Sequence, residues 1–122
     1  AICYRDRYSV LDKRAEKLLE KCDYFLMAKT DAKGQKTEQQ LEIWEDAARS
    51  YRDRKEDPME EKCYQQMELL FQEMQTKGTE PRYETYKCFA ENRARCAGRQ
   101  KQFQNVLQII QKAKTGRCLA KL

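Results

Sequence analysis

Six cysteines are the residues whose chemistry is most readily assigned, and they stand well apart at Cys3, Cys22, Cys63, Cys88, Cys96 and Cys118. An even number of cysteines in a short chain is typical of proteins that close disulfides in an oxidising compartment. A zinc or redox site needs closely spaced pairs such as C-x₂-C, and this sequence has none. We therefore expect three disulfides that involve all six cysteines; the alternative is that the cysteines are independent, buried free thiols.

Helix geometry narrows the possible pairings. Cys88 and Cys96 are eight residues apart, about 12 Å along a continuous helix, whereas a disulfide joins Cα atoms within about 7 Å. Cys3 and Cys22 are excluded for the same reason if the first helix is unbroken. These two exclusions leave ten of the fifteen connectivities that six cysteines allow. We expect Cys3 and Cys118 to tie the ends of the chain to its body.

The residue types give little support for catalysis. The chain has no histidine, which removes His-containing metal sites and Ser-His or Cys-His catalysis. Carboxylate pairs such as Glu60 with Glu61 and Glu84 with Glu91 occur, but a glycosidase needs two carboxylates on opposed walls of a cleft. The sequence therefore predicts a protein that is not an enzyme and needs neither a metal nor a cofactor.

Basic residues are concentrated in the second half of the chain. Residues 62–122 hold 12 Lys and Arg against 5 Asp and Glu, whereas residues 1–61 hold 13 against 15, and no acidic residue follows Glu91. Such a surface attracts an acidic protein patch or an anionic polysaccharide. We expect Arg93, Arg95, Arg99 and Lys101 to contact a partner. The alternative is a solvated helix face whose charge the acidic first half offsets. Nucleic acid is not expected, because no binding motif is present.

These side chains must be positioned by helices, because apolar residues recur every three or four positions along the whole chain. The pattern predicts an all-α, disulfide-linked bundle of about five helices that forms a single domain over residues 1–122. The helices cover about residues 4–29, 37–51, 57–77, 81–98 and 99–115. No apolar run approaches the length of about 18 residues that a membrane span needs.

Cap and stop signals mark the helix boundaries. Thr37 with Gln40 predicts a capping box for the second helix. Asp57, followed by Pro58, predicts the N-cap of the third helix. Gly78 is expected to end the third helix, and Gly98 is expected to end or kink the fourth. The predicted inward-facing residues are Leu41, Trp44, Ala48 and Tyr51 in the second helix, Met59, Cys63, Met67, Leu70 and Met74 in the third, Tyr83, Tyr86, Phe89 and Ala90 in the fourth, and Phe103, Val106, Leu107, Ile110 and Ala113 in the fifth.

With this pattern the chain resembles the small salivary-gland proteins of anopheline mosquitoes, the group that contains albicin and anophensin. That group is related to the C-terminal domain of the 30 kDa salivary antigens and of aegyptin. The resemblance is carried by the helical pattern, by the long charged first helix, by the stretch from Tyr86 to Cys96 (YKCFAENRARC) and by the ending Thr115-Gly116-Arg117-Cys118. The chain starts at Ala1 without a leader segment, and we expect the mature form of a secreted protein.

The resemblance implies a secreted inhibitor of host defence that binds a protein complex in plasma. The first expectation is inhibition of the alternative complement pathway at its convertase. Inhibition of kallikrein–kinin contact activation or of platelet adhesion is the second. A carrier of small apolar ligands similar to odorant-binding proteins is a third, since methionines line one predicted helix face. Binding of an anionic polysaccharide by the basic half alone is a further alternative.

Overall fold

The computed structural model describes residues 23–115, with side chains as far as Ala113, and this range contains five α-helices and no strand. The helices are α1 (Tyr24–Asp31), α2 (Thr37–Asp53), α3 (Asp57–Thr76), α4 (Tyr83–Arg99) and α5 (Phe103–Thr115). Within this range the prediction of an all-α fold with about five helices is confirmed, and the disulfide linkage of the bundle stays a prediction. None of the described helices is long and apolar enough to cross a bilayer. Our expectations for Cys3, Cys22, Gly116 and Cys118 concern residues outside the described range.

Helix α1 begins at Tyr24, inside the long first helix that the sequence pattern predicted. Asp23 is its N-cap, with the non-helical angles φ −87° and ψ 89°, and the Asp23 Oδ1 accepts a hydrogen bond from the Leu26 amide (3.0 Å). An N-cap of this kind satisfies a backbone donor that the first turn leaves unpaired. The prediction of one unbroken helix through Asp23 to Leu26 is therefore wrong, because a new helix begins there.

The N-termini of α2 and α3 each lie one residue away from the predicted caps. Lys36, not Thr37, is the N-cap of α2, and the Gln40 side chain donates to the Gln35 carbonyl (2.7 Å) instead of completing a capping box. Glu56 is the N-cap of α3, so Asp57 and Pro58 occupy its first two helical positions. Pro58 fits this place because the first turn requires no amide donor from it.

Three helices end in the same way, with one residue in the left-handed conformation. Gly78 follows α3 at φ 74°, but Lys55 after α2 and Lys101 after α4 adopt φ 58°. In each case the next amide bonds back five residues: Glu56 to Tyr51, Thr79 to Met74 and Gln102 to Ala97. This is the Schellman motif. Gly98, which we expected to end or kink α4, lies within the last turn of that helix.

The core lies between α2, α3 and α4, with α1 covering one end. Every residue predicted to face inward on α2 is buried, as are four of the five on α3. Phe25 of α1 packs against Trp44 (ring centroids 5.0 Å apart), and Phe71 contacts both Tyr86 and Phe89 at 5.0 Å. The cluster of buried core residues includes Leu41, Trp44, Ala48, Tyr51, Cys63, Met67, Leu70, Phe71, Met74 and Phe89.

Helix α5 departs most from the prediction. Ala113 is buried and Val106 half-buried, but Phe103, Leu107 and Ile110 are 64%, 61% and 42% exposed. The apolar arc of α5 is wider than the strip that α4 covers, so the expectation that all five residues face the core is wrong for these three.

Replacing Lys55 with glycine should stabilise the fold. A residue with a Cβ pays a steric cost in the left-handed region, and glycine avoids it. We expect Lys55→Gly to raise the free energy of unfolding by about 0.5–1 kcal/mol, measured by urea denaturation. The matched control is Lys77→Gly, because Lys77 caps α3 in right-handed helical conformation. That control should lose stability, and a gain in both variants would contradict this reading of the turn.

Candidate functional site

Arg93 lies on α4 between two acidic side chains of α3. Its Nε and Nη2 donate to Glu61 Oε1 (3.0 and 2.8 Å), and its Nη1 donates to Glu68 Oε2 (2.7 Å). The guanidinium also lies over the Phe89 ring, and only 15% of its side chain is exposed. Burial by itself lowers the pKa of Arg93, but its hydrogen bonds to both glutamates outweigh that effect and raise the pKa. Arg93 therefore forms ion pairs inside the fold with Glu61 and Glu68.

Glu68 connects this ion pair to α5. The Nζ of Lys112 donates a hydrogen bond to Glu68 Oε1, while Arg93 donates one to Glu68 Oε2. Burial raises the pKa of Glu68, but the hydrogen bonds from Lys112 and Arg93 exceed that effect and hold the pKa below its ordinary value. One carboxylate of α3 therefore joins α4 and α5.

Arg99 makes a second ion pair at the N-terminus of α3. Its Nε donates to Asp57 Oδ1 (3.0 Å) and its Nη2 to Glu60 Oε1 (2.6 Å). The side chain of Glu60 is completely buried, and its other oxygen accepts a hydrogen bond from the Tyr64 hydroxyl (2.5 Å). Both oxygens of this buried carboxylate are thereby satisfied, as a charge in a protein interior requires.

Arg93, Arg99 and Lys112 are therefore neutralised, although no acidic residue follows Glu91 in the sequence. Their acidic partners lie 25 to 44 residues earlier in the chain, on α3. Residues 23–115 hold 17 Lys and Arg against 16 Asp and Glu, so the described part of the chain is nearly neutral.

Arg95 and Lys101 differ from the other two predicted contact residues. Both are exposed, and neither makes an ion pair with any side chain in the described range. Lys101 projects from the left-handed turn between α4 and α5. The four residues thus divide into two that hold α4 against α3 and two that face solvent.

Arg95 lies on the same side of the α4–α5 pair as the exposed apolar residues of α5. Arg93 and Ala97 line an open cleft of about 310 Å³ with Asn105 and Ile109. Arg95 is two residues from both Arg93 and Ala97. A separation of two residues corresponds to about 200° around a helix, so Arg95 lies on the side of α4 opposite the cleft. Leu107 is likewise two residues from both Asn105 and Ile109 on α5.

We call this second side, together with the exposed Lys101 of the turn that joins the two helices, the outer face; its residues are Arg95, Lys101, Phe103, Leu107 and Ile110. Its three apolar members are half of the large apolar side chains that are exposed within the described residues. An aromatic and aliphatic patch bordered by basic residues has the composition of a protein-binding surface. The width of the apolar arc on α5 was the sequence signal for it, but sequence alone could not show which part of that arc α4 covers.

Among the residues that the structure describes, one group of side chains has the types and the spacing to bind a cation. Ligand atoms of Asp57, Glu60 and Cys96 lie within 4.8 Å of one another. Arg99 already bonds to both carboxylates, however, and it neutralises the charge that would attract a metal. Burial and the nearby Glu60 carboxylate raise the pKa of the Cys96 thiol to about 12, so it stays protonated and is a poor ligand. These residues form a structural ion pair.

The three described cysteines are not bonded to one another. Cys63 and Cys96 are completely buried, whereas Cys88 is exposed on α4. Burial, with smaller contributions from Glu60 and Asp23, raises the pKa of the Cys63 thiol to about 12. Neither buried thiol is a nucleophile at neutral pH in this state.

Replacing Arg93 with alanine should destabilise the fold, because Glu61 and Glu68 would lose their shared partner. We expect a loss of about 2–3 kcal/mol in the free energy of unfolding, less than for a fully buried ion pair. Arg95→Ala is the matched control and should change the stability by no more than about 0.5 kcal/mol. Equal losses in chemical denaturation would show that Arg93 does not have this structural role.

The depressed pKa of Glu68 should make stability depend on pH. A carboxyl group whose pKa is lower in the folded state stabilises the fold above its unfolded pKa, which is near 4.5. That contribution disappears as the pH falls through the folded pKa. Glu68→Gln should therefore cost stability at neutral pH and cost less near pH 3. The same substitution at the exposed Glu91 is the control, and a penalty for Glu68→Gln that did not change with pH would contradict the assignment.

Comparisons with known proteins add no relative. No family model matches the chain, and no curated protein or solved structure is detectably similar to it. The resemblance to anopheline salivary proteins therefore depends on the sequence pattern described above.

Proposed function

We propose that this protein is a secreted inhibitor that acts by binding a host plasma protein complex, and that its target is the convertase of the alternative complement pathway. The outer face is the observation that supports a binding role most directly. The choice of target comes from the resemblance to anopheline salivary proteins. In this proposal the chain carries out no reaction, and inhibition results from occupying a surface of the target.

The outer face combines two contributions to binding. Burial of Phe103, Leu107 and Ile110 would supply the apolar centre, because exposed apolar area gains about 25 cal/mol per Å² when it is removed from water. Arg95 and Lys101 at its border would attract an acidic patch and orient the approach, since rim charges act mainly on the rate of association. The partner proposed here is therefore a protein with an acidic border around an apolar recess.

A binding surface is more effective when the elements that carry it are held rigidly, because less conformational freedom is then lost on binding. Arg93 and Arg99 support this role indirectly, since they hold α4 against α3. Lys112 does the same for α5 through Glu68. Three disulfides, as expected from the six cysteines and a secreted location, complete the proposed scaffold.

The alternatives differ in how much they gain from the structure. Inhibition of contact activation or of platelet adhesion would use the same outer face, so only the identity of the target separates it from the first proposal. A carrier of small apolar ligands gains no support, because Met67 and Met74, expected to line a pocket, lie in the packed core. Within residues 23–113, polysaccharide binding has only Arg95 and Lys101 as unpaired basic residues on this face.

Reversing both exposed charges of the outer face should weaken inhibition. We expect Arg95→Glu with Lys101→Glu to slow association with the target by about tenfold and to reduce its dependence on salt. Phe103→Ser with Leu107→Ser should instead speed dissociation, because it removes the apolar centre. Surface plasmon resonance on the immobilised convertase, together with a complement lysis assay, measures both effects.

The matched control for the charge reversal is Lys29→Glu with Lys33→Glu, two exposed lysines at the opposite end of the described chain. It changes the net charge by the same amount without touching the outer face. Equal loss of inhibition in the control would point to a general charge effect. Normal inhibition by both outer-face variants would exclude this surface, and no inhibition by the unaltered protein would exclude the target.

A further inference from the structure

The connection between α4 and α5 differs from the other helix connections in its residue types. It consists of residues 100–102, Gln-Lys-Gln, which are all strong helix formers. The α1–α2 connection contains Gly34, Pro58 lies in the first turn after the α2–α3 connection, and the α3–α4 connection contains Gly78 and Pro81. Among the four connections of the described range, only the one before α5 has no glycine in it and no proline in it or in the next helical turn.

Both prolines of the chain follow a left-handed residue at the same distance. Pro58 comes three residues after Lys55 (φ 58°), and Pro81 comes three residues after Gly78 (φ 74°). A proline inside a helix removes one backbone hydrogen bond, and its ring clashes with the preceding turn. These two prolines therefore prevent α2 and α3, and likewise α3 and α4, from joining into one continuous helix.

The turn at Lys101 has no such barrier. Lys101 adopts φ 58° although it carries a Cβ, which is sterically unfavourable in the left-handed region, and the residue three positions later is Gln104. If Lys101 took right-handed helical angles, α4 and α5 would form one helix over residues 83–115. Gly98 is already helical in α4, so it favours neither the bent form nor the straight one.

The contacts that hold α5 are ones that a second copy of the chain supplies equally well. Lys112 of α5 forms an ion pair with Glu68 of α3, and Ala113 is buried. Val106 lies close to Gly98, where an added Cβ would be 4.0 Å from the Val106 Cγ2. An α5 helix that leaves its own chain can make these same contacts on another copy, so the exchange itself loses no native interaction.

We propose that the α4–α5 connection is a hinge, and that two copies of this chain exchange their α5 helices through it to form a domain-swapped dimer. Straightening relieves the strain at Lys101 in both copies. Phe103 and Leu107 are exposed directly after the hinge and provide apolar surface where the two straightened helices meet. These two gains offset the translational and rotational freedom that association costs. The inference does not depend on the target proposed above.

Substitutions at Lys101 test the hinge directly. Lys101→Gly should raise the dissociation constant of the dimer about a hundredfold, because glycine relieves the bent form and disfavours the continuous helix at two hinges. Lys101→Val should lower that constant, because β-branched residues tolerate the left-handed region least. Size-exclusion chromatography with light scattering, over a series of protein concentrations, measures the dimer fraction. Monomer alone for both the unaltered protein and Lys101→Val would overturn the proposal.

A proline placed in α5 provides the second test. Gln104→Pro puts proline at the second position of α5, the place that Pro58 occupies in α3. The bent form should tolerate it, because the first helical turn requires no amide donor there, whereas the continuous helix should not. We expect Gln104→Pro to keep its helix content in circular dichroism and to stay monomeric. A dimer that persisted in this variant would be an ordinary surface contact and would overturn the exchange.

The matched control for Lys101→Val is Lys55→Val. Both lysines have φ 58°, but Pro58 prevents the α2–α3 turn from straightening. Lys55→Val should therefore lose stability without forming a dimer. Equal dimer formation by both valine variants would show that destabilisation alone causes association, and would contradict the hinge. If Gln104→Pro did not fold, the opposite shifts expected for Lys101→Gly and Lys101→Val would still decide the question.

Discussion

The ion pairs between α3 and α4 are the interaction on which the rest of this structure depends. Glu60, Glu61 and Glu68 occupy one side of α3, and Arg93 and Arg99 of α4 bond to them over a contact that apolar residues fill only in part. Each of these three glutamates has an arginine partner, which avoids the cost of desolvating an isolated ion. The arginines suit this role because a guanidinium bonds to two carboxylates at once.

The same ion pairs determine which basic residues can act on a partner. A basic segment appears uniform in the sequence, yet its members alternate between α3 and solvent because successive residues on a helix point in different directions. Arg93 and Arg99 form ion pairs within the fold, whereas Arg95, which lies between them in the sequence, remains exposed to solvent. The position of α5 follows from this as well, since Lys112 reaches Glu68 and leaves one part of the α5 apolar arc uncovered.

Periodicity was sufficient to predict the helices and the core faces of α2 and α3, because both helices have a narrow apolar strip between polar residues. Caps were predicted less well, since Thr37 and Asp57 each lie one position inside the helix that they were expected to cap. The pairing of Arg93 with Glu61 could not be predicted. The two residues are 32 positions apart in the sequence, and their contact depends on how α4 is aligned along α3. The exposure of Phe103 likewise depends on how much of the α5 surface is covered by α4, and the periodicity of apolar residues in the sequence does not indicate this.

The three left-handed turns have a consequence for how the chain folds. After each of them a new helix begins within a few residues, so α2, α3, α4 and α5 pack mainly against the helices that precede and follow them in the chain. Native contacts are therefore short in sequence separation and require little loop-closure entropy before they form. Chains of low contact order fold within microseconds to milliseconds, and helical hairpins of this one could assemble one after another while synthesis is still in progress.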